Sequence, residues 1–257
     1  MPVLRALPSP VYVMSDAHLG FATRDVERSL IAFLRYLPGR AGGLVINGDL
    51  FEFWFEWKRV IPRASFRVLA ALGDLRDAGV PILMIAGNHD CWGGEILTKD
   101  VGLDYQFGPW DGDLAGWTAR IDHGDGLRDK EDQRYRLLRS VFRNRLAIWA
   151  FRWLHPDVGA WVAADWSDTS RTYQARDGGA GLRQVAEEQL KATGSPELLI
   201  FGHSHVAALE RAGTGVYANA GAWLHKPTFL RLTSERIELC SWNGTGGDVV
   251  TTVNRER

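Results

Sequence analysis

Five strand-like runs that each end in His, Asp or Asn constrain the fold of this chain more than any other feature. Val11–Met14 leads into Asp16-Ala17-His18, Leu44-Val45-Ile46 into Asn47-Gly48-Asp49, and Ile82–Ile85 into Gly87-Asn88-His89-Asp90. Trp117–Ile121 leads into Asp122-His123-Gly124-Asp125, and Leu198–Phe201 into Gly202-His203-Ser204-His205. Each run has the length of a strand, and all but Trp117–Ile121 are apolar throughout, as a buried strand is. Two histidines in a lone turn would be ordinary. Five strand ends carrying side chains that bind metals or move protons are not coincidence. Gly202 permits the sharp exit that would turn both of its following imidazoles toward one point.

The segments between these runs predict how they are joined. Thr23 can cap a helix in which Val26, Leu30, Phe33, Leu34 and Leu37 recur at helical spacing until Pro38 stops it. Residues 63–78 repeat the pattern with Phe66, Leu69, Leu72 and Leu75, and Gly79-Val80-Pro81 closes it. Strand–helix–strand–helix–strand order predicts parallel pairing. Ligands in such sheets gather at the carboxyl ends of the strands, where Asp16, His18, Asp49 and Asn88 all fall. The back half differs. Residues 213–220, Thr228–Leu232, Arg236–Trp242 and residues 248–253 are short runs between turn residues, which predicts an antiparallel or mixed second sheet. A helical insertion is expected over about 129–193. No linker or repeat divides the chain, so residues 1–257 are expected to form one domain with a helical cap.

Composition narrows the function. With 30 Lys+Arg against 31 Asp+Glu, no global charge argues for nucleic acid. Cys91 and Cys240 have no metal or redox spacing, and reduced thiols are expected. The start of the chain lacks the basic and apolar regions of a signal peptide, and no apolar run reaches membrane-spanning length. A soluble intracellular protein is the expectation.

The donors themselves point to chemistry. Asp16, His18, Asp49, Asn88, His123, His203 and His205 offer imidazole nitrogens, carboxylates and one amide oxygen. That is too many for one tetrahedral zinc. It suits two divalent ions about 3.5–4 Å apart, sharing a carboxylate, as in two-metal phosphoesterases. A mixed N/O set without thiolate favours manganese, iron or zinc over calcium.

The ordered blocks Asp16-x-His18, Gly48-Asp49-x-x-Glu52, Gly87-Asn88-His89-Asp90, His123-Gly124-Asp125 and Gly202-His203-x-His205 resemble the calcineurin-like metallophosphoesterase superfamily. The resemblance implies an α/β fold, a four-layer α/β/β/α sandwich of two mixed sheets with helices outside. It implies that Asp16, His18 and His205 hold one metal, that Asn88, His123 and His203 hold the other, and that Asp49 bridges them. Manganese is the first expectation, with iron or zinc the alternatives. Glu52 stands outside this set as a supporting or solvent-facing group. His89 would donate a proton to the leaving group or stabilise its charge, with Asp90 orienting it.

Within the superfamily, Ser15-Asp16-Ala17-His18-Leu19, Gly48-Asp49-Leu50-Phe51-Glu52 and His123-Gly124-Asp125-Gly126-Leu127 are similar to UDP-2,3-diacylglucosamine pyrophosphatases. Those enzymes cut a lipid-linked sugar nucleotide to lipid X and UMP at the inner face of the membrane. Leu154-His155-Pro156-Asp157-Val158-Gly159, Trp166-Ser167 and Ser170-Arg171 resemble a divergent branch of them. The best-known branch has arginine where this chain has His89. The resemblance places substrate against Asn88, His203, Asp132, Ser167, Ser170 and Arg171.

The insertion is rich in arginine and aromatics. Residues 133–152 hold six arginines and no acidic residue, and Trp149, Trp153, Trp161 and Trp166 are four of the chain's 11 tryptophans. Tyr135, Leu138, Phe142, Leu146, Trp149 and Trp153 make a helical stripe, with Arg136, Arg139 and Arg143 on another row. A cap helix burying that stripe is one reading. A basic aromatic surface meeting acyl chains and anionic headgroups is the other, and the two are compatible. The expected enzyme is thus a dinuclear metallohydrolase, cytoplasmic and peripheral on the inner membrane. A generic phosphodiesterase or nuclease is the alternative, against which the confined arginine run argues. A scaffold without activity would lack some of these ligands, and none is missing.

Overall fold

The computed structural model describes residues 4–128, 144–159 and 177–256. Its strands are β1 (Ala6–Leu7), β2 (Val11–Met14), β3 (Gly43–Asn47), β4 (Ile82–Ile85), β5 (Asp104–Gln106), β6 (Trp110–Leu114) and β7 (Trp117–Ile121). They continue with β8 (Leu198–Phe201), β9 (Ala208–Ala212), β10 (Gly215–Asn219), β11 (Thr228–Leu232), β12 (Arg236–Trp242) and β13 (Gly247–Asn254). The α-helices include α1 (Arg24–Tyr36), α2 (Phe66–Asp77), α3 (Arg145–Phe151) and α4 (Ala180–Leu190), and residues 156–159 are helical as well.

Two mixed sheets result, ordered β1-β6-β7-β8-β10-β9 and β13-β12-β11-β2-β3-β4-β5. Alternation along each strand builds the layers. Val11, Val13, Val45, Leu83 and Ile85 share one apolar core with Ile121, Leu198, Ile200 and Val216 of the six-stranded sheet. The intervening Tyr12, Met14, Leu44, Ile46, Ile82 and Met84 pack under Leu30, Phe33 and Leu34 of α1 and Leu72 and Leu75 of α2. Leu199, Phe201 and Tyr217 meet Leu182, Ala186 and Leu190 of α4 on the opposite outer face. The order of layers is helix, sheet, sheet, helix. Strands covered on both sides must be apolar throughout, which is why β2, β3, β4 and β8 are wholly buried.

The local signals act as expected. Thr23 caps α1, its hydroxyl accepting from Val26 N at 3.4 Å, a cap that contributes about 1 kcal/mol. Residues 63–65 are a 3-10 turn leading into α2, whose Leu69, Leu72 and Leu75 are buried. Phe66 is the exception to the expected stripe and is 69% exposed.

Two expectations need correction. Of the four runs expected to build the second sheet, only β10 lies with β8 and β9 in the six-stranded sheet; β11, β12 and β13 extend the sheet of β2, β3 and β4 in antiparallel fashion through β11–β2 pairing. Their short alternating pattern fixed strand type but carried no information about which edge they would join. Within the span 129–193 expected as a cap, α4 instead puts its apolar face on β8 and β10 and forms a layer of the sandwich.

Candidate metal centre

Parallel pairing brings the strand ends together. β2 and β3 are in register at Met14 and Ile46, β3 and β4 at Asn47 and Ile85, and β7 and β8 at Ile121 and Ile200. The loops beyond them therefore leave from one edge of each sheet. Asn47 ties the two edges together, its side-chain amide donating to Asp122 O at 3.1 Å while its carbonyl accepts from His123 Nδ1 at 2.9 Å.

The loops take an unusual backbone course. Asp16, His18, Asp49, His203 and His205 all have positive φ, between 47° and 60°, and among the described residues only Ala115 joins them as a non-glycine in that region. Such a conformation costs on the order of 1–2 kcal/mol per residue. Neighbouring loops hold it in place: Asp16 N donates to Gly48 O at 3.1 Å, His18 N to Asp49 O at 3.0 Å, and Gly202 N to His123 O at 2.9 Å. Glycine is required beside the ligands for a different reason. A Cβ at Gly87 would stand 2.1 Å from Asp49 Oδ1, and one at Gly48 would stand 2.2 Å from His123 Nδ1.

The side chains converge. Donor atoms of Asp16, His18 and His205 lie within 4.8 Å of one another, as do those of Asp49, His123 and His203, and those of His18, Asp49 and His89. His205 Nε2 is 3.3 Å from Asp16 Oδ1, and His18 Nε2 is 3.2 Å from His205 Nε2. Asp49 Oδ2 is 3.1 Å from His123 Nε2 and 4.0 Å from His18 Nε2, so this carboxylate stands between the two groups. The buried oxygens of Asp16, Asp49 Oδ2 and Asn88 Oδ1, together with His123 Nε2, have no hydrogen-bond partner among the described residues. Each unpartnered buried polar atom costs about 1–3 kcal/mol.

This donor set fits divalent metal. His123 gives its Nδ1 proton to the Asn47 carbonyl, so Nε2 presents a lone pair toward the Asp49 carboxylate. His18 gives its Nδ1 proton to Glu52 Oε2 at 2.8 Å and presents Nε2 toward His205. Acceptor facing acceptor in a buried site calls for a cation between them. A proton competes with a metal for that place, and the electrostatics show its pull. Burial disfavours charge on Asp49, yet His123, His89 and His18 hold it well below the usual carboxylate range. Burial likewise opposes charge on His123, and Asp49 overrides it, raising the imidazole well above its ordinary value. His203 is pushed down to about 3 by burial and by His123, which keeps it neutral and able to ligate.

His89 lies at the edge of the cluster. Its backbone N donates to Asp49 Oδ1 at 3.0 Å, and its ring Nδ1 is 2.9 Å from Glu52 O. The carbonyl must accept, so Nε2 is the atom left to exchange a proton. The expectation that Asp90 orients this ring gives way to Glu52. The Asp90 carboxylate instead accepts from Leu50 N and Gly87 N, both at 2.8 Å, and so pins the two ligand loops to each other. Burial and the nearby Asp49 charge push Asp90 up to about 7.

Glu52 thus supports two histidines, one through its side chain and one through its carbonyl. Its sequence signal was a second carboxylate three residues after Asp49. Glu52→Gln should keep the fold and lower metal affinity about 10–100-fold, the usual effect of losing a carboxylate behind a ligating histidine. Calorimetric titration with manganese checks this, and unchanged affinity would remove Glu52 from the support role.

Sequence reasoning gave no role to Asn47 or to the aromatic run 51–57. Phe51 and Trp54 stack at 4.5 Å beneath the site. Phe55 meets Phe151 of α3 at 4.8 Å and Trp92 at 5.4 Å, and Trp57 donates its indole N–H to Leu154 O at 3.2 Å. The described part of the cap is anchored here, beside Glu52 and Asp90. Leu146, Trp149 and Trp153 of the expected stripe are exposed. Asp132, Ser167, Ser170 and Arg171, with Tyr135, Arg136, Leu138, Arg139, Phe142, Arg143, Trp161 and Trp166, lie outside the described residues.

The calcineurin-like phosphoesterase family model matches residues 9–207. A UDP-2,3-diacylglucosamine hydrolase of Porphyromonas gingivalis is 36% identical over 152 residues, 58% of this chain and 58% of that protein. One from Pseudomonas putida is 30% identical over 78% of this chain and 84% of its own length. One from Pseudomonas fluorescens Pf-5 is 28% identical over 91% of this chain and 95% of its own. The match spans all five ligand-bearing loops, and the chain belongs to the calcineurin-like phosphoesterase family.

Proposed function

We propose that this chain hydrolyses the pyrophosphate bond of UDP-2,3-diacylglucosamine, giving lipid X and UMP. The observation that carries the reading is the buried cluster of carboxylates and imidazoles shared between two groups by Asp49, with the Asp16 oxygens, Asp49 Oδ2 and His123 Nε2 lacking a hydrogen-bond partner among the described residues, in a chain that a Pseudomonas fluorescens hydrolase matches over 91% of its length. Asp16, His18 and His205 would hold one divalent ion, Asn88, His123 and His203 the other, and Asp49 both. Manganese suits a mixed oxygen and nitrogen set, with iron and zinc the alternatives. Such ions polarise phosphoryl oxygens and lower the pKa of water to about 7.

The protein's own groups do the rest. Gly48, Gly87 and Gly202 leave room for the ligand side chains, so the cluster stands preformed. His89, held by the Glu52 carbonyl, presents Nε2 to the leaving phosphate and returns a proton to it. Asn88 and His203 face the same space and orient the substrate. Asp132, Ser167, Ser170 and Arg171 are assigned to the sugar-phosphate by family resemblance. Exposed Trp149 and Trp153, 6.2 Å apart on and just past α3, supply an apolar surface for peripheral contact with an anionic membrane. Among the described residues, no helix is long and apolar enough to cross one.

Purified protein offered UDP-2,3-diacylglucosamine, nucleotide diesters and single-stranded DNA in parallel should release UMP from the first far faster than it cleaves the others. Cleavage of diesters or DNA with the lipid nucleotide left intact would replace this reading with a generic phosphodiesterase or nuclease.

A further inference from the structure

Immediately past His18, the chain opens a cleft of about 710 Å³ between the N-termini of α1 and α2. That volume lies within the roughly 300–1,000 Å³ usual for small-molecule sites. Gly20 lines it, and a Cβ there would stand 3.6 Å from the Cβ of Glu52, the partner of His18. The cleft therefore adjoins the metal-binding cluster. Its walls are cationic: Arg24, Arg28, Arg63 and Arg67 line it against one carboxylate, Glu27. Arg28 leans on Asp25 at 3.1 Å, while no ion pair engages Arg24, Arg63 or Arg67 among the described residues. Two helix N-termini add their positive ends. Phe66, the residue that broke the expected apolar stripe, presents its ring at the same place, 69% exposed.

Arginines around a concave site, with an aromatic face beside them and a phosphoryl-transfer centre next door, match one half of the proposed substrate and not the other. Acyl chains need apolar walls free of charge, and the four arginines among the Leu19, Ala22, Ala64 and Phe66 side chains of this cleft suit a phosphorylated, aromatic group instead. We infer that the cleft is the subsite for the uridine nucleotide half, with Arg24, Arg63 and Arg67 holding the phosphate that leaves as UMP and Phe66 stacking the uracil. The inference rests on the proposed substrate. It fixes the direction in which that substrate lies: nucleotide toward the α1–α2 cleft, lipid toward the cap.

The test uses the whole chain with Arg63→Gln/Arg67→Gln and, separately, Phe66→Ser, all exposed positions that are not members of the metal-binding cluster. Wild-type turnover of UDP-2,3-diacylglucosamine is measured first, and its absence would overturn the function and this subsite together. Given turnover, the double variant should raise KM for the lipid nucleotide and weaken inhibition by UMP, each about tenfold or more. Phe66→Ser should weaken UMP inhibition severalfold. Hydrolysis of bis(p-nitrophenyl) phosphate, which has no nucleotide, should stay unchanged in both. Unaltered UMP inhibition in the double variant would overturn the inference while leaving the function standing. So would unaltered UMP inhibition coupled to lost binding of phosphatidylglycerol vesicles, which would assign the arginines to a membrane surface.

Discussion

Asp49→Asn should abolish turnover and empty both metal positions at once. One oxygen of this carboxylate stands 3.1 Å from His123 Nε2 and 4.0 Å from His18 Nε2, so its charge serves both halves of the cluster. The other oxygen accepts the His89 backbone N–H at 3.0 Å. Alanine would strip that buried N–H of its acceptor, at a cost of about 1–3 kcal/mol, and so mix a folding effect with a metal effect. Asparagine can keep an oxygen on the N–H while removing the charge, which separates the two. Elemental analysis of the purified variant is the measurement. Two full equivalents of metal in an inactive Asp49→Asn protein would show that the carboxylate does not bridge.

His89→Ala should behave in the opposite way, keeping its metal and losing rate. The ring is fixed from behind by the Glu52 carbonyl at 2.9 Å, leaving Nε2 for proton transfer. Loss of a positioned general acid lowers rate by about 10²–10⁴-fold. The deficit should shrink on a substrate with a nitrophenolate leaving group, which departs without a proton. Equal losses on good and poor leaving groups would instead mean that His89 positions the phosphate or stabilises its charge.

What the sequence made legible follows from what each signal measures. Strand-like runs ending in His, Asp or Asn located β2, β3, β4, β7 and β8 and the loops that carry the seven expected ligands, because the carboxyl ends of neighbouring parallel strands must meet. The same reasoning could not assign β11, β12 and β13 to a sheet. Their alternation reports one buried face, and which edge they extend is settled by the β11–β2 register far away in sequence. It also misread α4, since a helix that caps a site and a helix that covers a sheet have the same apolar stripe. Asp90 was misassigned because adjacency in sequence says nothing about direction. The turn at residues 87–90 points its carboxylate back at Gly87 and Leu50, away from the neighbouring ring. Asn47 went unnoticed because its role, joining two sheets through His123 and Asp122, exists only once both sheets are present.

The left-handed backbone at Asp16, His18, Asp49, His203 and His205 has a consequence for how this centre comes apart. None of these residues keeps its conformation alone. Asp16 and His18 lean on Gly48 and Asp49, Trp223 N and Leu224 N bond back to Ser15 O and Asp16 O, and Gly202 N leans on His123 O. A loop that relaxes to an ordinary φ withdraws the support of the next, and the strain of order 1–2 kcal/mol per residue then favours release of the others. Loops that lie nearly 200 residues apart should therefore open as one cooperative unit. Their amide hydrogens should exchange with deuterium at a common rate, and added manganese should slow them together.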